Sequence, residues 1–164
     1  MGYTHYWRFR KGIGNGKYVD CKVKDILNAE ELFKESVELF NLCLKELNGK
    51  TRYPNWGEGK FSKEIPMVLC GGLGENKPII NDTMVWFNGS KAKEESCETC
   101  YISLSGSEGF NFCKTERNPY DTAVWICLLC FKHYFGENIN VTSDGDDEGH
   151  RYADEVFHKV LEAR

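Results

Sequence analysis

Residues 3–10 have the sequence YTHYWRFR, in which two kinds of side chain alternate. Tyr3, His5, Trp7 and Phe9 occupy one set of alternate positions, and more polar residues occupy most of the other set. Successive side chains of a strand point to opposite faces of its sheet. The period of two therefore predicts a strand with one buried face.

A first amphipathic helix is predicted from Asn28 to about Leu47. Asn28 followed by Glu31 matches an N-cap with an acidic residue at the third helical position. Gly49 is predicted to end the helix because glycine readily adopts the left-handed conformation found there. The apolar positions recur at helical spacing and form one stripe: Leu32, Phe33, Val37, Phe40, Leu44 and Leu47.

Two further helices follow in the second half of the chain. One is predicted from Asn118-Pro119 to about Phe135, with proline at the first helical position, where its missing N–H would have no partner. This segment is apolar nearly all round, which is typical of a helix buried on every side. The other, over residues 148–163, is amphipathic and closes the chain.

The remaining apolar runs predict strands at 67–70, 79–87, 100–104, 110–114 and 139–142. We expect the strands at 100–104 and 110–114 to form a hairpin around the glycines between them. The resulting order, β-α-β-β-β-β-α-β-α, favours an α+β fold with three helices packed on a mostly antiparallel sheet. A length of 164 residues fits a single domain spanning 1–164.

The charge balance argues against nucleic acid as a partner. The chain has 21 basic and 25 acidic residues, giving a net charge of −4, whereas phosphate-backbone binding requires a concentrated basic face. The longest apolar run, Ala123–Phe131, is far shorter than the roughly 18 residues of a membrane span. The N-terminal residues lack the apolar core of a signal peptide. We therefore expect a cytoplasmic protein without a membrane partner, and eight reduced cysteines.

Two cysteine pairs raise the question of a zinc site. Cys97-x-x-Cys100 and Cys127-x-x-Cys130 could together supply four thiolates. The second pair lies about two turns inside an apolar helix, however, whereas structural zinc usually takes its paired cysteines from a tight turn. Buried cysteine also behaves as a small apolar side chain. The sequence therefore predicts core thiols rather than a metal centre.

The acidic segment 144–149, DGDDEG, partly matches a calcium-binding loop, with Glu155 at its twelfth position. A predicted strand precedes it, and Glu148 replaces the short Asp or Asn that is usual at the fifth position. We expect an acidic turn whose carboxylates face the N-terminus of the last helix, where negative charge is favoured. No metal and no cofactor are predicted.

A polar cluster is predicted where a strand ends beside the second helix. Lys114 and Thr115 end the strand, and Tyr120 and Asp121 begin the helix a few residues later. A helix N-terminus is a natural place for an anionic or polar ligand. The alternative is that Asp121 only caps the helix and Lys114 is a solvated surface charge.

Several short motifs run through the chain in a specific order: Met-Gly-Tyr-x-His-Tyr at 1–6, Phe-Asn-Gly at 87–89, Glu-Thr at 98–99, Phe-Cys-Lys-Thr at 112–115, Pro-Tyr-Asp at 119–121 and Ser-Asp-Gly at 143–145. In this respect the sequence resembles a family of uncharacterised proteins of bacteriophages and bacterial genomes. Where those relatives often have His-Glu-Thr-Phe, this chain has Cys97-Glu98-Thr99-Cys100. A role that needs an imidazole at position 97 is therefore not expected.

The candidate ligand-binding residues are His5, Tyr6, Trp7, Glu98, Thr99, Lys114, Thr115, Tyr120, Asp121 and Asp144. The resemblance implies a phage protein of the host cytoplasm that binds a small nucleotide-like signal of host defence and sequesters it without turnover. One alternative is a hydrolase of such a ligand, with Asp121 or Glu98 as general base and Lys114 stabilising charge. Another is an inhibitor that binds a host protein through the aromatic segment Tyr53–Trp56. A homo-oligomer is compatible with each.

Overall fold

A computed structural model of the chain describes residues 3–164; Met1 and Gly2, the first two residues of the opening motif, lie outside the described residues. The helices are α1 (Ala29–Leu47), α2 (Asp121–Phe135) and α3 (Asp147–Glu162), with short 3-10 turns at Val23–Asp25 and Gly136–Asn138. The strands are β1 (Thr4–Gly14), β2 (Lys17–Asp20), β3 (Lys50–Thr51), β4 (Pro54–Asn55), β5 (Lys60–Phe61), β6 (Ile65–Pro66), β7 (Ile79–Asn81), β8 (Met84–Phe87), β9 (Cys100–Ser103), β10 (Phe110–Lys114) and β11 (Ile139–Ser143). These elements confirm the α+β class.

The main sheet has the order β10-β1-β11, and all of its pairs are antiparallel. β1 lies in the centre, and its outer half continues into a hairpin with β2. The predicted alternation of β1 is confirmed, because His5, Trp7 and Phe9 are buried while Arg8 is exposed. The ring of Phe9 packs edge-on against Phe131 of α2. The inner face of the sheet is therefore covered by α2.

The second helix is the centre of the core, as its apolar sequence predicts. α2 packs against α1, α3 and the inner face of the sheet. Phe131 makes edge contacts with Phe33 of α1, at a centroid distance of 5.1 Å, as well as with Phe9. The helix begins at Asp121, so Pro119 lies just before it and Tyr120 takes the N-cap position.

The strand pairing differs from the predicted hairpin. β9 pairs with β8, in a separate three-stranded sheet of order β7-β8-β9, and β10 pairs with β1. The segment 79–87 is two strands, because the Asn81 side chain accepts from the backbone of Thr83 and Met84 and closes a turn. Residues 67–70 form no strand, and only Cys70 bridges to Asn88. Tertiary pairing decided these strands, which local patterning cannot anticipate.

The segment between α1 and the second sheet is folded as two short ribbons. β3 pairs with β6, and β4 pairs with β5. At the end of α1, Asn48 rather than Gly49 is the C-cap residue, and it has the left-handed conformation. Asn28 is the N-cap residue of α1 as predicted, but its side chain makes no capping hydrogen bond. No helix within residues 3–164 is long and apolar enough to cross a bilayer.

Candidate functional site

The site is built around His5, which β1 places on the inner face of the main sheet. His5 lies opposite Ser143 of β11, and its Nδ1 is 2.8 Å from the Ser143 Oγ. Its Nε2 is 2.6 Å from the Asp121 Oδ1. The ring is completely buried, and both of its nitrogens are hydrogen-bonded to protein groups.

Asp121 receives a second hydrogen bond, from the end of β10. The Thr115 hydroxyl donates to the same Oδ1 at 2.5 Å. Asp121 is the first residue of α2, not its cap, and no side chain caps this helix within the described residues. Its side chain is 16% exposed. The positive end of the helix dipole favours a carboxylate at this position.

His150, from the first turn of α3, extends the chain of hydrogen bonds. Its Nε2 lies 3.2 Å from the Ser143 Oγ, which also accepts from the Gly145 N–H. The His150 ring is stacked on Trp125 at a centroid distance of 3.9 Å. We call His5, Thr115, Asp121, Ser143 and His150 the polar network.

One set of roles satisfies the hydrogen bonds of the polar network around His5. A carboxylate oxygen can only accept, so the His5 Nε2–H donates to Asp121. The His5 Nδ1 then accepts from the Ser143 hydroxyl, and Ser143 accepts from the Nε2–H of His150. Each of these three donors meets one acceptor, which is the condition for stable burial of polar groups.

Glycine at 145 lets the end of β11 approach β1 closely. A Cβ at this position would overlap the Tyr3 hydroxyl and lie 2.5 Å from the His150 Nε2. Tyr3 is buried at the edge of the polar network, and burial raises the pKa of its hydroxyl well above the usual range. The Tyr3 hydroxyl is therefore a proton donor, not an anion, at physiological pH.

A cleft lies directly over the polar network. Its floor is formed by Tyr3, Asp121 and His150, and one wall is the segment Arg52–Trp56 of the β4–β5 hairpin. The cavity volume is about 20 Å³, which is room for about one water molecule. The cleft is therefore closed in this conformation.

Arg117 forms the mouth of the cleft. Its guanidinium lies 4.3 Å from the centroid of the Tyr3 ring and 5.1 Å from that of Trp56. Within residues 3–164 it makes no ion pair and no side-chain hydrogen bond. Glu116 and Arg117 both have positive φ angles, of 53° and 60°. Two consecutive non-glycine residues in this conformation are uncommon and occur preferentially at functional sites.

The β4–β5 hairpin is held over the cleft by polar contacts at its edges. The Tyr53 hydroxyl donates to the Arg117 carbonyl at 2.6 Å, and burial raises the pKa of Tyr53 to about 12. The Gly57 N–H donates to the Glu148 carboxylate at 2.7 Å. Arg151 of α3 also donates to two carbonyls of the hairpin, and its guanidinium lies over the Phe61 ring. The hydrogen bonds are all exposed, so water can replace them when the hairpin separates from α3.

Lys114 does not share the site with Asp121, and its position matches the alternative in which it is a surface charge. Lys114 and Thr115 are consecutive at the end of a strand, so their side chains point to opposite faces of the sheet. The Lys114 ammonium lies on the outer face, 3.4 Å from the Glu116 carboxylate. Tyr6 and Asp144 also lie on the outer face, where the Tyr6 hydroxyl donates to Asp144 at 3.0 Å.

Glu98 and Thr99 are engaged in holding loops together. The Glu98 carboxylate accepts from the Lys114 N–H at 2.6 Å, and the Thr99 hydroxyl donates to the Gly72 carbonyl. Asn88 fixes this segment, since its amide binds the Cys97 N–H at 3.0 Å and the Cys97 carbonyl at 2.9 Å. The predicted residues Glu98 and Thr99 therefore lie away from the cleft.

Trp7 and Tyr120 are core residues. Trp7 is buried, and its Nε1 has no hydrogen-bond partner in the described part of the chain. The Tyr120 hydroxyl donates to the Glu98 carbonyl at 2.7 Å. Of the ten predicted residues, three belong to the polar network: His5, Thr115 and Asp121.

Within residues 3–164 no group of three or more cysteine, histidine or acidic side chains is arranged to hold a metal ion. Cys100, Cys127 and Cys130 are completely buried thiols. In the acidic turn, Asp144 binds Tyr6, whereas Asp146 caps α3 by accepting from the Gly149 N–H at 2.7 Å. The carboxylates of this turn thus serve separate structural contacts.

Sequence reasoning missed Tyr3, Arg117, Trp125, Ser143 and His150. The four histidines show no spacing that indicates a shared site, because His5 and His150 meet only through the sheet and α3. One signal was present for Ser143. It continues the alternation of a strand just before an Asp-Gly turn, so the sheet face to which its side chain points can be read from the sequence.

Comparison with known proteins identified no relative. No protein-family model matches the chain, no curated protein matches it, and no solved structure matches it.

Acidification is expected to destabilise the fold through His150. Burial, reinforced by the nearby His5, lowers the pKa of His150. The unfolded chain therefore takes up a proton first as the pH falls below about 6.5, and stability is lost from there down to the folded-state pKa. Urea titrations between about pH 7.5 and pH 5.5 should show this loss. The loss should shrink in His150→Gln, and an identical loss in that variant would contradict the assignment.

Proposed function

We propose that the chain binds a small anionic ligand with a planar ring, of the nucleotide type, in the cleft and holds it without turnover. Taken with the resemblance to phage proteins, this would make the ligand a nucleotide-like signal of host defence. The observation that carries the proposal is Arg117, whose guanidinium lies at the cleft mouth between Tyr3 and Trp56 and has no acceptor among residues 3–164. An arginine of this kind can bind a phosphate through two parallel hydrogen bonds.

The other walls of the cleft suit the remaining parts of such a ligand. Tyr53 and Trp56 offer rings on which a base can stack. On the floor, one oxygen of Asp121 is held by His5 and Thr115. The other oxygen has no protein partner within residues 3–164, so it can accept from an amino or hydroxyl group of the ligand.

Binding without turnover is favoured because the reactive groups are already engaged. A serine nucleophile needs an accessible oxygen beside a base, whereas the Ser143 Oγ is bonded to His5, His150 and Gly145. His5 is buried with both nitrogens occupied. These groups support the cleft rather than face a substrate.

A hydrolase remains the second candidate, because Asp121 and His150 do line the cleft floor. Asp121 could act there as general base. Glu98 and Lys114, the other residues of that hypothesis, lie elsewhere.

Ligand entry requires the β4–β5 hairpin to move. Ligand pockets commonly enclose about 300 Å³ or more, whereas the closed cleft holds about 20 Å³. Binding should therefore begin with separation of Gly57 from Glu148, of Tyr53 from Arg117, and of the hairpin carbonyls from Arg151.

Removing the guanidinium tests the proposal. Calorimetry with a panel of linear and cyclic nucleotides should find at least one ligand, and Arg117→Ala should weaken its binding about 10- to 150-fold, the loss expected for hydrogen bonds to a charged group. Lys114→Ala is the matched control, because it removes a cation of the outer face. This variant should bind the ligand as the wild type does. Equal losses in both variants, or no binding by any nucleotide, would contradict the proposal.

A further inference from the structure

The outer face of the main sheet carries an exposed row of aromatic rings. Phe110 and Phe112 of β10 are 55% and 52% exposed, and Tyr6 of β1 lies beside them, directly opposite Phe112. The Tyr6 and Phe110 rings are stacked at a centroid distance of 5.7 Å, and Phe110 and Phe112 are 5.9 Å apart. We call these three residues the aromatic face.

We propose that the aromatic face binds a short stretch of single-stranded nucleic acid by stacking its bases. The arrangement has one ring on the central strand and two rings, at positions i and i+2, on its neighbour. Antiparallel sheets that bind single-stranded RNA present aromatic side chains to successive bases in this way. Stacking tolerates any sequence, because every base has a flat face.

One cation lies directly beside the aromatic face. Arg8 lies opposite Phe110, with its guanidinium 5.6 Å from the centre of that ring. Arg8 is also ion-paired with Asp20 at 3.3 Å, but both side chains are exposed, and an exposed pair of this kind is worth at most about 1 kcal/mol, so a phosphate can replace the carboxylate. Lys17, at the turn of the β1–β2 hairpin that extends the same sheet, makes no ion pair within residues 3–164. The nearest carboxylate to Tyr6, that of Asp144, is already bound to the Tyr6 hydroxyl.

Polar side chains of β11 complete the binding surface. Asn140 lies opposite Arg8, and Thr142 lies opposite Tyr6, so both share the outer face and are exposed. An amide and a hydroxyl can each donate to and accept from base edges. The face thus combines rings for stacking with groups for hydrogen bonding.

The same face is too small for a stable dimer interface. A phenylalanine can bury about 200 Å², so Phe110 and Phe112, each about half exposed, offer roughly 200 Å² together. A stable protein interface needs about 800 Å² on each partner. The rings of the aromatic face also lie among charged and polar side chains, whereas the centre of a protein interface is apolar.

The net charge of −4 limits the kind of nucleic acid that fits. A duplex is bound mainly through its phosphates, which requires a broad basic surface. A short single strand bound by stacking needs contacts to only two or three phosphates. The logarithm of the affinity should therefore fall with the logarithm of salt concentration with a slope of only about −1 to −2.

Fluorescence anisotropy with labelled oligo-U and oligo-dT of about ten nucleotides tests the proposal on the full chain. Phe112→Ala and Phe110→Ala should each weaken binding about tenfold or more, the usual loss for one stacked base. Phe112→Leu keeps an apolar side chain but not a ring, and it should lose nearly as much. Leu73→Ala, which removes another exposed apolar side chain outside the sheet, should bind as the wild type does.

Each other result overturns the proposal. Binding of duplex as tight as that of single strands, or unchanged affinity in the phenylalanine variants, would exclude stacking on this face. An absence of binding below roughly millimolar, which is weaker than non-specific nucleic-acid binding, would exclude a nucleic-acid ligand. If sedimentation shows a wild-type dimer that Phe112→Ala dissociates, the face is a contact between copies.

Arg117→Ala should leave oligonucleotide binding unchanged, which separates this site from the cleft.

Discussion

Asp121→Ala is expected to lower the free energy of unfolding by about 2–5 kcal/mol. The carboxylate accepts from the buried His5 Nε2 and from the buried Thr115 hydroxyl. Its removal leaves both donors without a partner, and each unsatisfied buried group costs about 1–3 kcal/mol. The loss of a simple helix cap would cost only about 1 kcal/mol. Urea unfolding monitored by tryptophan fluorescence measures the difference.

Two further variants make the Asp121 result specific. Asp121→Asn keeps an oxygen that can accept both bonds, so it should lose less than half as much stability as alanine. Lys114→Ala removes an exposed ammonium that is paired only with Glu116, and a surface pair is worth at most about 1 kcal/mol. A loss below about 1 kcal/mol in Asp121→Ala would mean that the polar network does not stabilise the fold.

The sequence predicted the helices well because their signals are local. The apolar stripe and Asn28 place α1 within one residue of its observed start, and the observed end at Leu47 matches. The burial of α2 follows from its composition alone. These features depend on residues three or four positions apart, which the sequence shows directly.

The site was less predictable because its contacts are distant in the chain. His5 reaches Asp121 across 116 residues and Ser143 across 138. Both contacts depend on β10 and β11 flanking β1, and the predicted hairpin of 100–104 with 110–114 would have placed β10 elsewhere. For Lys114 the sequence left two alternatives open, a ligand-binding residue and a surface charge. Applying to β10 the alternation recognised in β1 would have separated Lys114 from Thr115.

Sequestration and hydrolysis predict opposite outcomes when the ligand is recovered after binding. A sequestering protein needs tight binding of the ground state, whereas an enzyme must bind the transition state more tightly than the substrate. Incubation with nucleotide ligand, removal of the unbound fraction and heat denaturation should therefore return intact ligand at about one equivalent per chain, with none converted. High-resolution mass spectrometry of the supernatant measures both quantities.

Asp121→Asn decides between the two mechanisms. It preserves the shape of the cleft floor and removes the one carboxylate that residues 3–164 place there as a possible general base. For a sequestering protein, the variant should still return only intact ligand, although less of it. Its single oxygen accepts from His5 and Thr115, and an amide nitrogen replaces the oxygen that faces the ligand. An enzyme should instead consume many equivalents in the wild type and lose about 10²–10⁴-fold in rate in the variant, the usual contribution of a general base. Multiple turnovers that Asp121→Asn abolishes would replace sequestration by hydrolysis. If neither depletion nor turnover occurs with any nucleotide, the cleft does not bind this class of ligand, and the exposed Trp56 of the hairpin becomes the first residue to test for a protein partner.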